Sequence, residues 1–152
     1  MPEAIQRRGP NAPPGRGTSP PVPERRKPNL SGVKELQNWD PQDLIACADA
    51  MGQLLQSVAM SQVRKFLGAV SRIAQSLDDE SHLRDRVLLL KPRLAYVAAR
   101  ADEQSRGAKP VHALFEDVSL MIDRTHDPED FRRLHDYVQG VVAYHRFYGG
   151  RD

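Results

Sequence analysis

The sequence predicts an all-α fold, a compact bundle of five to six helices that follows a disordered N-terminal tail rich in proline and arginine. Apolar residues recur every three or four positions from residue 44 onwards, which is the period of a helix with one buried face. No segment shows the sustained alternation of a strand. Residues 1–30 hold eight of the twelve prolines, too many for a helix or a core.

The 152 residues suffice for one ordinary domain. We divide them into a basic tail at residues 1–38 and a helical domain at residues 39–150. No apolar run approaches the ~18 residues of a membrane span, and no signal-peptide core follows the N-terminal charges. The single cysteine, Cys47, excludes an internal disulfide. We expect a cytoplasmic protein without membrane contact.

The first helix is predicted to begin at Asp40 and Pro41, a typical N-cap and first helical residue. Trp39 precedes them in the position of a hydrophobic staple. Its apolar stripe contains Leu44, Ala48, Met51, Leu55 and Val58. The three-residue connection Ala59-Met60-Ser61 then leads to the second helix, with Ser61 as the expected cap.

The second helix places Arg64, Lys65 and Arg72 opposite its apolar stripe. Gly68 lies between these cations, and a glycine in mid-helix costs about 1 kcal/mol relative to alanine. Two explanations stay open. Another backbone, of protein or nucleic acid, approaches the helix there, or a neighbouring helix packs tightly against it.

The third helix is predicted to start near His82, after the acidic run at residues 78–81. We interpret that run as a helix cap rather than a metal site. Pro92 interrupts the helix, and we expect a kink or a very tight break. The alternative is one helix that ends near Leu90 and another that begins with Pro92.

Arg86, Arg93 and Arg100 recur every seven residues on one face of this helix, a cationic ridge roughly 20 Å long. Residues 61–100 carry eight basic and four acidic residues, whereas both neighbouring segments are acidic. Such a ridge suits a phosphate backbone, and it is also typical of a solvated helix face. Tyr96 shares this face, where we favour a half-buried position over base stacking.

Pro110 is predicted to start the fourth helix, and Asp127-Pro128 repeats the start signal of the first. The last helix is expected to end at Gly149-Gly150. Near this end, Phe147 and Tyr148 are expected to pack against the domain.

No pattern of catalytic or metal-binding residues emerges from the sequence. The histidines form no HExxH pair, and one cysteine leaves no zinc pattern. There is no phosphate-cradling glycine loop, and Cys47 is interpreted as a buried thiol. We therefore predict a protein that is not an enzyme and has no metal, cofactor or small-molecule substrate.

Three motifs carry a resemblance to a known family. KPRLAYVAAR at 91–100, VVAYHRFYGG at 141–150 and SQVRKFL at 61–67 resemble the small subunit of the type III-A CRISPR effector complex, the Csm complex small-subunit family. The likeness extends from about Leu44 to Gly150. The family often has a glycine near the end of the first motif, where this sequence has Ala98 and Ala99.

The resemblance implies an all-helical, non-catalytic subunit of an antiviral ribonucleoprotein. Several copies would line the filament of backbone subunits and contact guide (CRISPR) RNA and target RNA without sequence specificity. It implies RNA contacts for Arg64, Lys65, Lys91, Arg93 and Arg100, and more weakly for Arg146. With the helical stripes, the predicted RNA-binding residues are Arg64, Lys65, Arg72, Arg86, Lys91, Arg93, Arg100 and Arg146.

A second hypothesis is a helical protein-interaction adaptor or a DNA-binding regulator of helix-turn-helix type. Its motivation is the short connection Ala59-Met60-Ser61 between the first and second helices. A regulator would prefer one DNA sequence and form a two-fold dimer.

Overall fold

A computed structural model describes residues 24–103 and 108–151. These residues form six α-helices and no strand, which confirms the all-α prediction. Of the five to six helices predicted, the structure has six. The helices are α1 Pro41–Leu54, α2 Arg64–Ala74, α3 Leu83–Leu88, α4 Leu90–Glu103, α5 Ala108–Ile122 and α6 Pro128–Phe147. Helix α5 thus begins two residues before Pro110. No helix among the described residues is long and apolar enough to cross a membrane.

Helices α1 and α6 form the central pair and run parallel to each other. A Cβ atom built at Gly140 would lie 2.9 Å from the Cβ of Ala48, and one at Gly52 would lie 2.5 Å from the Cβ of Tyr144. The contacts advance in the same direction along both helices. Glycine at these two positions lets the backbones approach more closely than any side chain would permit.

Local capping chemistry starts both helices as predicted. The Asp40 carboxylate accepts a hydrogen bond from the Gln42 amide at 3.1 Å, and Pro41 occupies the first turn of α1. Asp127 accepts from the Asp130 amide at 2.9 Å in the same way at the start of α6. Each carboxylate pairs with an amide that has no partner within its helix.

Helix α1 ends earlier than its apolar stripe predicts. Leu54 is its last residue, and a 3-10 turn at Leu55–Ser57 is followed by extended backbone at Val58. The buried His145 ring donates from Nε2 to the Val58 carbonyl at 2.9 Å, which holds this residue out of a helix. Nine residues therefore separate α1 from α2, and the predicted three-residue connection is wrong.

The start of α2 also differs from the prediction. Ser61 lies inside a second 3-10 turn, Met60–Gln62, and Val63 is the residue that precedes the helix. No side chain caps α2. The expected cap at Ser61 is therefore wrong.

A tight break separates α3 from α4. Helix α3 ends at Leu88 and α4 begins at Leu90, so a single residue, Leu89, lies between them. Pro92 lies in the first turn of α4, where its missing N–H costs no hydrogen bond. Buried residues continue in phase across the break, as predicted, from Val87 to Leu94.

Residues 24–38, which the sequence analysis assigned to the tail, pack against the helical domain. Leu30 and Leu36 are buried, and the Leu36 amide donates to the Arg124 carbonyl at 2.9 Å. This segment, which was expected to be disordered, therefore has enough apolar side chains to join the core. Residues 1–23 of the predicted tail lie outside the described residues.

Arg25 attaches this N-terminal segment to α5. Its guanidinium donates to Glu116 at 2.6 Å and to Asp117 at 2.6 Å. The side chain of Asp117 is 1% exposed, whereas that of Arg25 is 25% exposed. Burial raises the pKa of Asp117, and the nearby guanidinium opposes that rise.

Asp43 on α1 forms the second attachment of the segment. Its carboxylate accepts hydrogen bonds from the Asn29 amide at 2.8 Å, the Trp39 indole at 2.8 Å and Arg26 at 2.9 Å. Burial by itself raises the pKa of Asp43, but these three donors together bring that pKa below its usual value.

The chain leaves α6 through a glycine pair, as predicted. Gly149 has a φ of +89°, which favours glycine, and a Cβ at Gly150 would overlap the His145 ring. Tyr148 is half-buried, and its hydroxyl donates to Asp49 at 2.5 Å. Phe147 is 76% exposed, so its predicted burial is wrong.

Candidate nucleic-acid interface

An open groove runs between α2 and α4, with a volume of about 840 Å³. Cations and apolar side chains share its surface. From the α2 side come Ser61, Lys65 and Phe66; from the α3–α4 break and α4 come Leu89, Pro92, Arg93, Tyr96, Val97, Arg100 and Ala101. The period of each helix places several of these side chains on the same face.

Helix α2 buries one face and exposes its cations. Phe66, Val70 and Ile73 lie in the core, while Lys65 and Arg72 are exposed. Residues 65 and 72 are two turns apart and therefore share a face. The helix thus presents both cations along one edge of the groove.

Helix α4 presents its cations to the same groove. Leu94 and Val97 are buried, and Arg93 and Arg100 are exposed two turns apart. The guanidinium of Arg100 lies 6.0 Å from the centre of the Tyr96 ring, and its Nη1 donates to the Tyr96 hydroxyl at 3.2 Å. Arg100 is therefore oriented by an aromatic neighbour in the groove.

A smaller depression, of about 260 Å³, continues the groove towards α3. Leu89 and Arg93 belong to both, and the depression adds Arg72 and Arg86. We call the two together the basic groove, defined by the cations Lys65, Arg72, Arg86, Arg93 and Arg100. Five of the eight cations predicted from the sequence thus lie along one continuous surface.

Arg86 has a structural partner set within the basic groove. It donates to the Ser76 hydroxyl at 2.7 Å and to the Asp79 carbonyl at 2.9 Å. These bonds connect α3 to the turn that follows α2. Arg86 therefore acts on an anionic ligand through the positive potential that its charge creates at the end of the groove.

The other three predicted cations lie outside the basic groove. Lys91 points to the turn that follows α5, where its ammonium lies 2.5 Å from the Asp123 carboxylate. Arg64 is exposed at the first position of α2, and Arg146 is exposed near the end of α6. The seven-residue spacing that places Arg86, Arg93 and Arg100 together also puts Lys91 on a different face of α4.

Leu89 and Tyr96 are groove residues whose exposure the sequence analysis missed. Tyr96 is 59% exposed, so the preferred half-buried position is wrong, and Leu89 is 60% exposed. A signal for Tyr96 was present, because it shares a helix face with Arg93 and Arg100. Leu89 gave none, since the break at that residue cannot be located from three consecutive leucines.

The space around Gly68 argues against tight packing of a neighbouring helix of the same chain. A Cβ atom built there would approach only the Arg72 guanidinium, at 4.0 Å. No neighbouring helix therefore packs against it in the described part of the chain. The gap that Gly68 leaves between Lys65 and Arg72 opens outwards.

Cys47 is a buried thiol, as predicted. Burial raises the pKa of the Cys47 thiol to about 11, so the thiol stays protonated at neutral pH. Within residues 24–103 and 108–151, no three side chains of the metal-ligating types cluster around one point.

Fold and groove together define a class: a small all-helical protein whose main surface feature is an open cationic groove. Its family follows from comparison with known proteins. A model of the Csm2 Type III-A family matches residues 38–151, and the chain belongs to that family. It is therefore a small subunit of the type III-A CRISPR complex, and it assembles with other subunits of that complex. No curated protein and no solved structure matches the chain.

Proposed function

We propose that the chain is a non-catalytic, cytoplasmic RNA-binding subunit that holds guide and target RNA in the type III-A complex during antiviral defence. Several copies associate side by side along the filament. The observation that carries the proposal is the basic groove, in which Lys65, Arg72, Arg86, Arg93 and Arg100 come from three helices to one surface.

The groove is suited to a phosphate backbone rather than to one base sequence. A subunit that accepts every guide sequence must bind phosphate and sugar, which carry no sequence information. Lysine and arginine supply that contact. Its strength depends on salt, because the protein cations displace counterions that had been condensed on the RNA. The outward gap at Gly68 supports close approach of a backbone between Lys65 and Arg72.

The helix-turn-helix alternative loses its motivation, because nine residues separate α1 from α2. Membership of the family implies that the chain assembles with other subunits. A role as a protein-interaction adaptor is therefore already part of the proposed function. Lys91, Arg64 and Arg146 remain proposed RNA contacts of the assembled complex, at positions away from the basic groove.

Binding of single-stranded RNA to a pair of matched variants tests this proposal. The groove variant carries Lys65→Glu and Arg93→Glu; the control carries Lys34→Glu and Arg132→Glu at exposed positions outside the groove. Each variant changes the net charge from +2 to −2, since each substitution removes two units. Any difference between them therefore reports position rather than total charge.

We expect the groove variant to bind RNA about tenfold more weakly or worse at low salt, since exposed charge contacts contribute up to about 1 kcal/mol each. The control should stay within about twofold to threefold of the unmodified chain. Two RNAs of equal length and unrelated sequence should bind equally. Equal affinities of the two variants, with both folded by circular dichroism, would contradict the proposal.

A further inference from the structure

The main groove is lined by apolar side chains as well as by cations. Leu89 and Tyr96 are about three-fifths exposed there, and Lys65, Arg93 and Arg100 line the same groove. Two large apolar side chains exposed in one groove leave apolar area that a bound ligand would cover. A surface that holds only phosphates needs the cations, and an exposed aromatic ring adds to it only by positioning Arg100.

Tyr96 has the position that a stacking platform requires. Along α4 it lies between Arg93, one turn before it, and Arg100, one turn after it. The bond from Arg100 to its hydroxyl orients the ring, and the nearby guanidinium adds a cation–π contact. Arg93 on α4 and Lys65 on α2 line the same groove as the ring, which suits a strand that offers phosphate, base and phosphate in succession.

The groove's size and charge restrict the occupant. A volume of about 840 Å³ lies within the range of pockets that enclose small molecules, so a single nucleotide fits. The cations select an anionic ligand. In a duplex the faces of the bases are covered by their neighbours, and only an unstacked nucleotide can place its base on a protein ring.

We propose that the groove captures one unstacked RNA base on Tyr96, with Leu89 beside it, while Lys65 and Arg93 hold the flanking phosphates. This inference rests on the proposed RNA binding and adds a property to it. The subunit recognises the single-stranded state of a nucleotide, whatever its base. Every base has a π face, so the contact tolerates all sequences.

An abasic ligand separates base stacking from phosphate binding. The full-length chain is titrated with oligouridylate and with an oligomer of equal length whose sugar–phosphate backbone lacks bases. We expect the bases to strengthen binding about 5- to 150-fold for one stacked base. In Tyr96→Ala this preference should fall below about twofold, whereas Tyr96→Phe, which keeps the ring, should retain most of it.

Four outcomes decide the inference. Retained preference in Tyr96→Phe together with its loss in Tyr96→Ala supports it. Salt-dependent binding of the unmodified chain that ignores the bases overturns this inference alone. No binding of either oligomer at low salt overturns the proposed RNA binding as well. A change of oligomeric state in Tyr96→Ala by sedimentation, with the base preference intact, assigns the ring to a contact between copies and overturns the inference.

Discussion

Replacing Arg25 by alanine should destabilise the domain, although Arg25 lies before the first helix. The guanidinium holds the buried Asp117 carboxylate at 2.6 Å. The second oxygen of Asp117 has no hydrogen-bond partner, and neither has the buried hydroxyl of Tyr137. Arg25 is therefore the hydrogen-bonded partner that the buried carboxylate loses.

The loss should be about 2–4 kcal/mol. Removal of one partner from a fully buried ion pair costs about 3–5 kcal/mol, because the remaining charge is buried without compensation. Since the Arg25 side chain is 25% exposed, water reaches part of the vacated space and lowers that cost. At about 2–4 °C per kcal/mol for a domain of this size, the Tm should fall by roughly 5–15 °C.

The loss should also depend on pH. Burial raises the pKa of Asp117, so the folded state takes up a proton at a higher pH than the unfolded state does. The ionised carboxylate of Asp117 therefore lowers the free energy of unfolding at neutral pH. This penalty is lost as the pH falls through the pKa that Asp117 has in the folded state. A protonated Asp117 needs no guanidinium. The effect of Arg25→Ala should thus be largest near pH 7 and shrink in acid.

Urea denaturation of Arg25→Ala, Asp117→Asn and the double variant tests this reasoning. In the Asp117→Asn background, the loss caused by Arg25→Ala should fall below about 1 kcal/mol, because no buried charge is left. Lys27→Ala, an exposed neighbour, should stay within about 0.5 kcal/mol of the unmodified chain. The reasoning is refuted if Arg25→Ala costs as much in the Asp117→Asn background as in the unmodified chain, or costs no more than Lys27→Ala.

Three further stability measurements follow from the fold. Gly52→Ala should cost about 1–3 kcal/mol in urea denaturation, because the new Cβ would collide with Tyr144; an unchanged midpoint would disprove the close approach of α1 and α6. Gly68→Ala should instead stabilise α2 by up to about 1 kcal/mol, since nothing crowds that position; a loss of stability would reveal a contact there. Deletion of residues 1–37 should lower the Tm well below that of a chain lacking residues 1–23, because Leu30 and Leu36 are buried; equal Tm values would exclude a structural role for this segment.

Features set by neighbouring residues could be predicted from the sequence. The starts of α1 and α6 depend on Asp40-Pro41 and Asp127-Pro128, whose capping bonds lie within one turn. The shared face of Arg93 and Arg100 follows from helical periodicity alone. These local rules give the helices and one side of the basic groove.

Features set by contacts distant in sequence could not be predicted. Arg25 meets Asp117 92 residues away, so the segment before Trp39 has no local signal of its attachment. The end of α1 depends on His145, which bonds to Val58 across 87 residues. Apolar periodicity continues through Leu55 and Val58 because both are buried, although neither belongs to α1.

The aromatic residues at the end of α6 show a second reason why burial could not be predicted from the sequence. Phe147 and Tyr148 are neighbours of similar apolar character, yet one is 76% exposed and the other bonds to Asp49. Which of the two meets α1 depends on how the helices approach each other. That approach is governed by Gly52 and Gly140, whose role appears only in the packed structure.

The salt dependence of RNA binding tests the central claim, that the basic groove neutralises RNA phosphates. A plot of log affinity against log salt has a slope of about 0.7 per neutralised phosphate on a single strand. Lys65→Glu with Arg93→Glu should therefore flatten the slope by about 1.4 units or more, and the control Lys34→Glu with Arg132→Glu should leave it unchanged. An unaltered slope in the groove variant, or the same flattening in both variants, would contradict the claim.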